Sequence, residues 1–153
     1  MSALDENGLA IAATSTVNLW FGCKIRGART GIIFNDGMDD FSTPGFDNDF
    51  GVPPSPMNFI APGKRPVSSM TPTLVIDNRT KEPIVVTGGS GGTKITTGVL
   101  QVLLNILKFN YSGGDAVKRQ SPDWETGQGY RIIPSTISRL FWVLKEGNLP
   151  NPD

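Results

Sequence analysis

The chain has 153 residues, with 14 Lys plus Arg, 14 Asp plus Glu and a formal net charge of zero. That length fits one domain with a single core, and neutrality removes the electrostatic case for a nucleic-acid or anionic-membrane partner. No histidine is present, which excludes His-based triads and argues against a zinc site. The lone Cys23 cannot form an internal disulfide and reads as a small buried apolar residue. No cofactor or metal motif occurs, nor a signal peptide, nor an apolar run long enough to span a bilayer. Charge is uneven. Acids dominate residues 1–50 and bases dominate residues 51–110, which reads as a solvated polar surface.

Residues 1–4 and 9–17 read as two strands around the turn Asp5-Glu6-Asn7-Gly8, because Asn-Gly is a strong hairpin signal. Small apolar residues on both faces of the second arm predict a covered, central strand. Its first arm begins at Met1, the pattern of a cut hairpin. Gly31–Asn35 predicts a further short strand. Residues 42–72 contain seven prolines and no clear period, and their scattered aromatics predict an ordered loop. Within it, Ser68 and Ser69 stand between Pro62, Pro66 and Pro72, so a stiff segment presents two adjacent hydroxyls.

Thr73–Asp77 and Pro83–Thr87 predict two strands joined by an Asn-Arg-Thr-Lys turn. A glycine-rich turn, Gly88 to Gly92, leads into a helix over Thr93–Leu107. The helix carries a broad apolar face, extended by Leu100 and Leu104, and should be largely buried. The phosphate-loop spacing fails there, because Lys94 follows Thr93 rather than a glycine. Beyond Gly113 the pattern weakens. Ser135 predicts the cap of a short helix over residues 136–146, in a tail otherwise poorly packed. Strands in a row followed by a packed helix give the α+β class. Two sequons, at Asn78 and Asn110, matter only to a secreted chain.

Several runs fall in one family's order: Ala13-Thr14-Ser15-Thr16-Val17-Asn18, Asn35-Asp36-Gly37-Met38-Asp39-Asp40-Phe41, Pro53-Pro54-Ser55-Pro56, Pro62 through Thr73, and Gly91-Gly92-Thr93. With these, residues 1–112 resemble the small catalytic subunit of the γ-glutamyltranspeptidases, or glutathione hydrolases, and 113–153 are a divergent, unassigned tail. The resemblance implies an incomplete four-layer αββα sandwich of the N-terminal nucleophile hydrolase type. It implies γ-glutamyl transfer from glutathione to water or to an amino-acid or peptide acceptor. The implied partner is a large subunit in a heterodimer, and the implied location is the extracellular face of the plasma membrane or the secretory pathway.

Site roles follow from the same resemblance. Thr16 supports the nucleophile. Asn18 and Asp40 hold the substrate's α-amine, an acceptor and a carboxylate being what an ammonium needs. Ser68 and Ser69, with Met70, hold the α-carboxylate. Gly91 and Gly92 form the oxyanion hole with backbone N–H groups. Together they are expected to converge on one pocket. The family's nucleophile is a Thr that opens the small subunit, followed by a small residue and a His. That segment is absent from these residues, so the chain alone is expected to be an inactive fragment or a truncated light-chain-like protein. The family places Glu or Gln where this chain has Gly37.

Overall fold

The computed structural model describes residues 1–118 and the strand Arg139–Leu144, the latter through its backbone. These residues form two units, Ser15–Ser68 and the remainder. The second holds all the regular strands and both α-helices.

That larger unit opens with a hairpin of β1 (Ser2–Leu4) and β2 (Ala10–Ala12), with Ala3 opposite Ile11. The Asp5 side chain shapes its turn, accepting from the N–H groups of Asn7 at 2.9 Å and Leu9 at 2.8 Å. The second arm is shorter than predicted and is not covered on both faces. Leu9 and Ile11 are exposed, while Ala10 and Ala12 turn inward.

The main sheet is antiparallel, in the order β3 (Thr73–Ile76), β4 (Pro83–Ser90), β5 (Arg139–Leu144). Asp77 caps the β3–β4 turn by accepting from the N–H groups of Arg79 at 2.7 Å and Thr80 at 2.9 Å, and these bonds hold its carboxyl below the usual range. β4 runs on through Gly88, Gly89 and Ser90, where the sequence predicts a turn. Only Gly91 and Gly92 form the turn itself, with φ of 155° and 60°. A short 3₁₀ turn (Gly92–Lys94) then leads into α1 (Ile95–Leu107).

One face of β4 packs on α1. Val85 meets Val102, Ile106 and Ala116 in the core, and Ala116 belongs to α2 (Gly113–Lys118). The other face lies under the hairpin, where a methyl on Gly88 would sit 3.6 Å from Thr14 Cγ2. The observed layers are therefore helix, sheet and hairpin. α1 is buried along Ile95, Val99, Val102 and Ile106, but Leu100, Leu104 and Leu107 are exposed, so the helix is less covered than predicted. One apolar stripe suffices for one sheet, and the extra leucines point elsewhere.

The tail also departs from expectation. α2 docks on α1, where Asn105 Nδ2 donates to Ala116 O at 3.1 Å. The predicted helix over 136–146 is a strand in its described part, with Thr87 opposite Trp142 and Gly88 opposite Phe141. Helical spacing of Ile137, Leu140, Phe141 and Leu144 competed with the β-favouring run Leu-Phe-Trp-Val-Leu, and pairing along β4 decided the outcome. Residues 136–138 and 145–146 lie outside the described residues, as does the polar run Ser121–Gly129.

The smaller unit, Ser15–Ser68, is loop structure held by specific hydrogen bonds. The expected strand at 31–35 is reduced to a single bridge between Arg26 and Ile33. Around it, Cys23 N–H donates to Phe34 O at 3.1 Å and Phe34 N–H to Ile25 O at 3.0 Å. Gly22, at φ 51°, allows this closure, since a Cβ there would collide with the Phe34 carbonyl oxygen. Cys23 itself is only half-buried. Phe41 is the one buried apolar side chain among the described residues of this unit.

Two buried polar groups in the larger unit should respond oppositely to replacement. Thr87 Oγ1 is buried with no hydrogen-bond partner among the described residues, so Thr87→Val should be neutral or stabilising by up to ~1 kcal/mol. Asn105→Leu strands the Ala116 carbonyl and should destabilise by about 1–3 kcal/mol. Urea unfolding of both variants measures the contrast, and equal losses would contradict this packing.

Candidate active site

In the smaller unit, Asp40 sits on an acidic turn and Asn18 on the segment beside it. Gly37–Asp40 form a 3₁₀ turn that follows the Asn35-Asp36 pair. Asp36 fastens the segment carrying Asn18 to this turn. Its N–H donates to Val17 O at 3.2 Å, and its Oδ1 accepts from Leu19 N–H at 3.1 Å. Asn18 between them adopts φ 70°, a left-handed backbone that Asn tolerates better than most residues. The Thr16 hydroxyl oxygen accepts the Asn18 N–H at 2.8 Å and so stabilises that turn.

The Asn18 side chain does not bond Asp40. Its Nδ2 lies 3.4 Å from Asp36 O and 3.4 Å from Asp39 Oδ2. Asp36 and Asp39 are therefore part of the geometry that sequence reasoning assigned to Asn18 and Asp40 alone. The family run Asn35–Phe41 marked the place without showing which carboxylate faced Asn18. Asp40 is half-buried. Burial, then the neighbouring carboxylates of Asp39 and Asp36, push its carboxyl above the ordinary carboxylate range. A partly desolvated carboxylate beside two like charges is electrostatically unsatisfied, and an ammonium would satisfy it.

Gly37 opens the acidic turn, and its N–H donates to Asn35 Oδ1 at 3.0 Å. A Cβ at this position would lie 3.2 Å from the same oxygen. A larger side chain therefore requires the Asn35 amide to give way.

The serine pair straddles the boundary between the units, with Ser68 ending one and Ser69 starting the other. Ser68 and Met70 are exposed, and Ser69 is half-buried. Within the larger unit, Ser69 Oγ donates to Gly92 O at 2.6 Å. Thr71 Oγ1 donates to Ser69 O at 2.8 Å and lies 3.1 Å from Thr96 Oγ1. The serine loop is thus laced to the glycine turn and to the first residues of α1. Ser69 and the Gly91–Gly92 pair come together as expected. The leading N–H groups at such a helix start have no intrahelical acceptor, and positive φ at both glycines aims the turn's peptides in a way side-chain-bearing residues rarely allow.

Among the described residues no cluster of acids and thiols has the makings of a metal site. The acidic turn of the smaller unit offers carboxylates, which suit a cation, and the larger unit separately offers the Ser69 hydroxyl beside the backbone N–H groups of the glycine turn, which suit an oxygen bearing negative charge.

Known proteins resemble this chain in sequence and in fold. The family model for gamma-glutamyltranspeptidase matches residues 1–130. Glutathione hydrolase proenzyme 1 of Schizosaccharomyces pombe is 47% identical over 137 residues, covering 90% of this chain and 20% of that protein. Scoloptoxin SSD20 of Scolopendra dehaani is 44% identical over 141 residues, covering 92% of this chain and 68% of its own length. The solved gamma-glutamyltranspeptidase of Pseudomonas nitroreducens superposes with a TM-score of 0.75 at 39% identity, over 82% of this chain and 64% of that one. This chain spans about a fifth of the length of the S. pombe proenzyme. Its mixed helix-and-strand fold is that of the solved members, and the chain belongs to the gamma-glutamyltranspeptidase family.

Proposed function

We propose that this chain forms most of the small-subunit portion of a γ-glutamyltransferase or glutathione hydrolase. The reaction is transfer of a γ-glutamyl group from glutathione to water, an amino acid or a peptide. A large subunit completes the protein as a heterodimer and supplies the rest of an αββα sandwich, of which the described layers are a part. The observation that carries this reading is the 2.6 Å bond joining Ser69 to Gly92. It couples a carboxylate-binding hydroxyl to the turn whose N–H groups suit an oxyanion, across 23 residues of sequence.

In this reading Asn18 and Asp40 hold the substrate α-amine. Ser68, Ser69 and Met70 hold the α-carboxylate end. Ser69 has one hydroxyl proton, and in the structure Gly92 O accepts it. A bound carboxylate takes that proton instead, exchanging a neutral hydrogen bond for a charge-assisted one about twice as strong. The N–H groups of Gly91 and Gly92 stabilise the oxygen of the attacked γ-carbonyl, and Thr16 orients the nucleophile's hydroxyl. A threonine hydroxyl then attacks the carbonyl carbon, the amide C–N bond breaks, and the leaving amine takes a proton. Water or an acceptor amine releases the acyl group in a second attack. The family's Thr–small–His opening is not among these 153 residues, which contain no His. The family match extends to residue 130, so in this reading the small-subunit portion runs beyond residue 112. No described helix is long and apolar enough to cross a membrane, and association with the extracellular face or secretory route would rest on other segments.

A γ-glutamyl anilide assay tests the reading. The 153-residue chain alone should release no anilide. A form that begins with the family's Thr-initiated segment and is paired with a family large subunit should release it. There, Ser69→Ala should lower kcat/KM by about 10- to 150-fold, the loss of ~1.5–3 kcal/mol expected for one charge-assisted bond. Turnover by the chain alone that depends on Ser68, Ser69 or Thr16 would overturn the assignment.

The electrostatics of Asp40 give a pH signature. Its folded pKa is raised. The proton is therefore bound more tightly in the folded state, and the stability this contributes is present at acid pH and lost as pH rises through the folded value. Ammonium binding needs the ionised form and has the opposite sense, since affinity for L-glutamate should fall as pH drops through the raised value. Asp39→Asn removes a like charge, so it should move that midpoint toward lower pH. Calorimetric titration between pH 4 and 8 reads both, and a midpoint that shifts upward in Asp39→Asn would refute the electrostatic account.

A further inference from the structure

The acidic turn and the segment leading into Ser68 are bridged by one side chain that no role so far has used. Asn58 is half-buried and makes three side-chain hydrogen bonds. Its Nδ2 donates to the backbone carbonyl of Asp40 at 2.8 Å and to Ser42 Oγ at 3.3 Å. Its Oδ1 accepts from the Val67 N–H at 3.0 Å. Both amide protons and one carbonyl lone pair are thus committed, which fixes the orientation of the carboxamide. Of the twenty side chains, only Asn and Gln place two donors and an acceptor on one planar group, and Gln is one methylene longer.

The backbone of Asn58 is itself held on both sides. Lys64 Nζ donates to Met57 O at 2.6 Å and to Phe59 O at 3.0 Å. Asn58 N–H donates to Ser55 O at 2.9 Å, and Asn58 O accepts from Ser42 N–H at 3.0 Å. Ser42 Oγ accepts from Ser55 N–H at 3.1 Å as well. The loop offers Phe41 as its single buried apolar side chain among the described residues, so packing alone does not set the position of residue 58. Hydrogen bonds do.

We propose that Asn58, itself braced by Lys64, is a positioning residue that fixes the distance between Asp40 and the Val67–Ser68 backbone, and through it the spacing at which a γ-glutamyl α-amine and α-carboxylate are gripped. The substrate half of this statement rests on the function proposed above. The clamp half rests on geometry alone. Loss of the carboxamide leaves the Asp40 carbonyl and the Val67 N–H without their partner, and the two elements then move independently. The rotor freedom of two groups that must act at one separation is what preorganisation removes.

Nuclear magnetic resonance on the full chain tests both halves separately. In the ligand-free protein, amide exchange at Val67 should quicken at least tenfold in Asn58→Ala. Asn58→Asp keeps an acceptor for Val67 but replaces the single donor nitrogen, which serves both Asp40 O and Ser42 Oγ, with one carboxylate oxygen. There Val67 should stay protected while the Asp40 amide and its neighbours shift. A merely structural asparagine would show loss at both ends together in both variants, accompanied by general unfolding of the loop. Lys64→Met should quicken exchange around residues 57–59 and weaken the Val67 bond less than Asn58→Ala does.

Titration with L-glutamate then reads the substrate half. Asp40→Ala should abolish saturable shifts, and Asn58→Ala and Asn58→Asp should each weaken the affinity at least tenfold with α1 resonances unchanged. Unchanged Val67 exchange in Asn58→Ala overturns the clamp. Affinity within twofold of the unsubstituted chain in Asn58→Ala, where Asp40→Ala abolishes binding, overturns the positioning role and leaves the function standing. Glutamate binding that ignores Asp40→Ala, or that is absent from the unsubstituted chain, counts against the functional reading, and Val67 exchange still decides the clamp.

Discussion

A single hydrogen bond, 2.6 Å from Ser69 Oγ to Gly92 O, joins two stretches that the sequence keeps 23 residues apart. Its existence depends on nearly every element of the larger unit. Gly92 stands where it does because β4 runs straight through Gly88–Ser90 and stops at two glycines with positive φ. β4 continues there on its pairing with β5 alone, Gly88 with Phe141, Gly89 with Leu140 and Ser90 with Arg139, beyond the end of its pairing with β3 at Thr87. α1 begins immediately after the turn, and its buried stripe of Ile95, Val99, Val102 and Ile106 fixes the direction of the helix over the sheet. Thr71 and Thr96 add a hydroxyl pair 3.1 Å apart between the serine loop and the helix start. A shift in any of these would move the turn relative to the hydroxyl, and hydrogen bonds weaken steeply once geometry is lost.

The acidic turn obeys a different logic. Three carboxylates within five residues repel one another, and the fold tolerates them by giving two of them donors. Asp36 accepts from Leu19 N–H and Asp39 faces Asn18 Nδ2. The carboxyl of Asp40 is pushed up, first by burial and then by the charges of Asp39 and Asp36. A nearby cation would offset that penalty. Gly37 belongs in the same account. The family's Glu or Gln at that position would add reach toward an amine, but here the Asn35 side chain occupies the adjoining space, 3.2 Å from where a Cβ would begin. With Gly37 lacking a side chain, amine recognition in the proposed site falls on Asp40 and on the groups that hold it.

Much of this was legible in the amino-acid sequence, for identifiable reasons. The Asp-Glu-Asn-Gly turn, the β3–β4 hairpin and the helix after the glycines each combine a hydrophobic period with local turn chemistry, and all three formed. The motif order gave the family, which the matched residues and the solved relatives support. What failed was decided by tertiary partners. Leu140–Leu144 reads equally as a helical stripe and a strand until β4 supplies an edge to pair with. The Gly31–Asn35 strand had the right residues and found only a bridge to Arg26. Leu100 and Leu104 are apolar without being covered by the described residues. At the site, the family motifs pointed to Asp40, Asn18, Ser69 and the glycines. They could not announce that Asn18 faces Asp39, or that Asn58 is committed in three directions, because those facts exist only as distances.

The two units also differ in what makes them specific. The larger one follows the ordinary rule, with a core of Val85, Val102, Ile106 and Ala116 that depends on volume and tolerates small hydrophobic changes. The smaller one has little core to lose. Trp20, Phe21, Phe46, Met57 and Ile60 are all exposed, and its 54-residue loop system is organised by the side chains of Asp36, Asn48, Asn58 and Lys64 acting on backbone groups. Hydrophobic contacts are non-directional, whereas such bonds specify both distance and angle. A loop built this way holds a carboxylate and a hydroxyl-bearing segment in register without burying them, which a ligand-binding surface requires. It also makes the geometry vulnerable to single polar substitutions that a packed core would absorb. In the proposed site, recognition therefore depends on polar loop side chains that act on the backbone as well as on those that face the ligand.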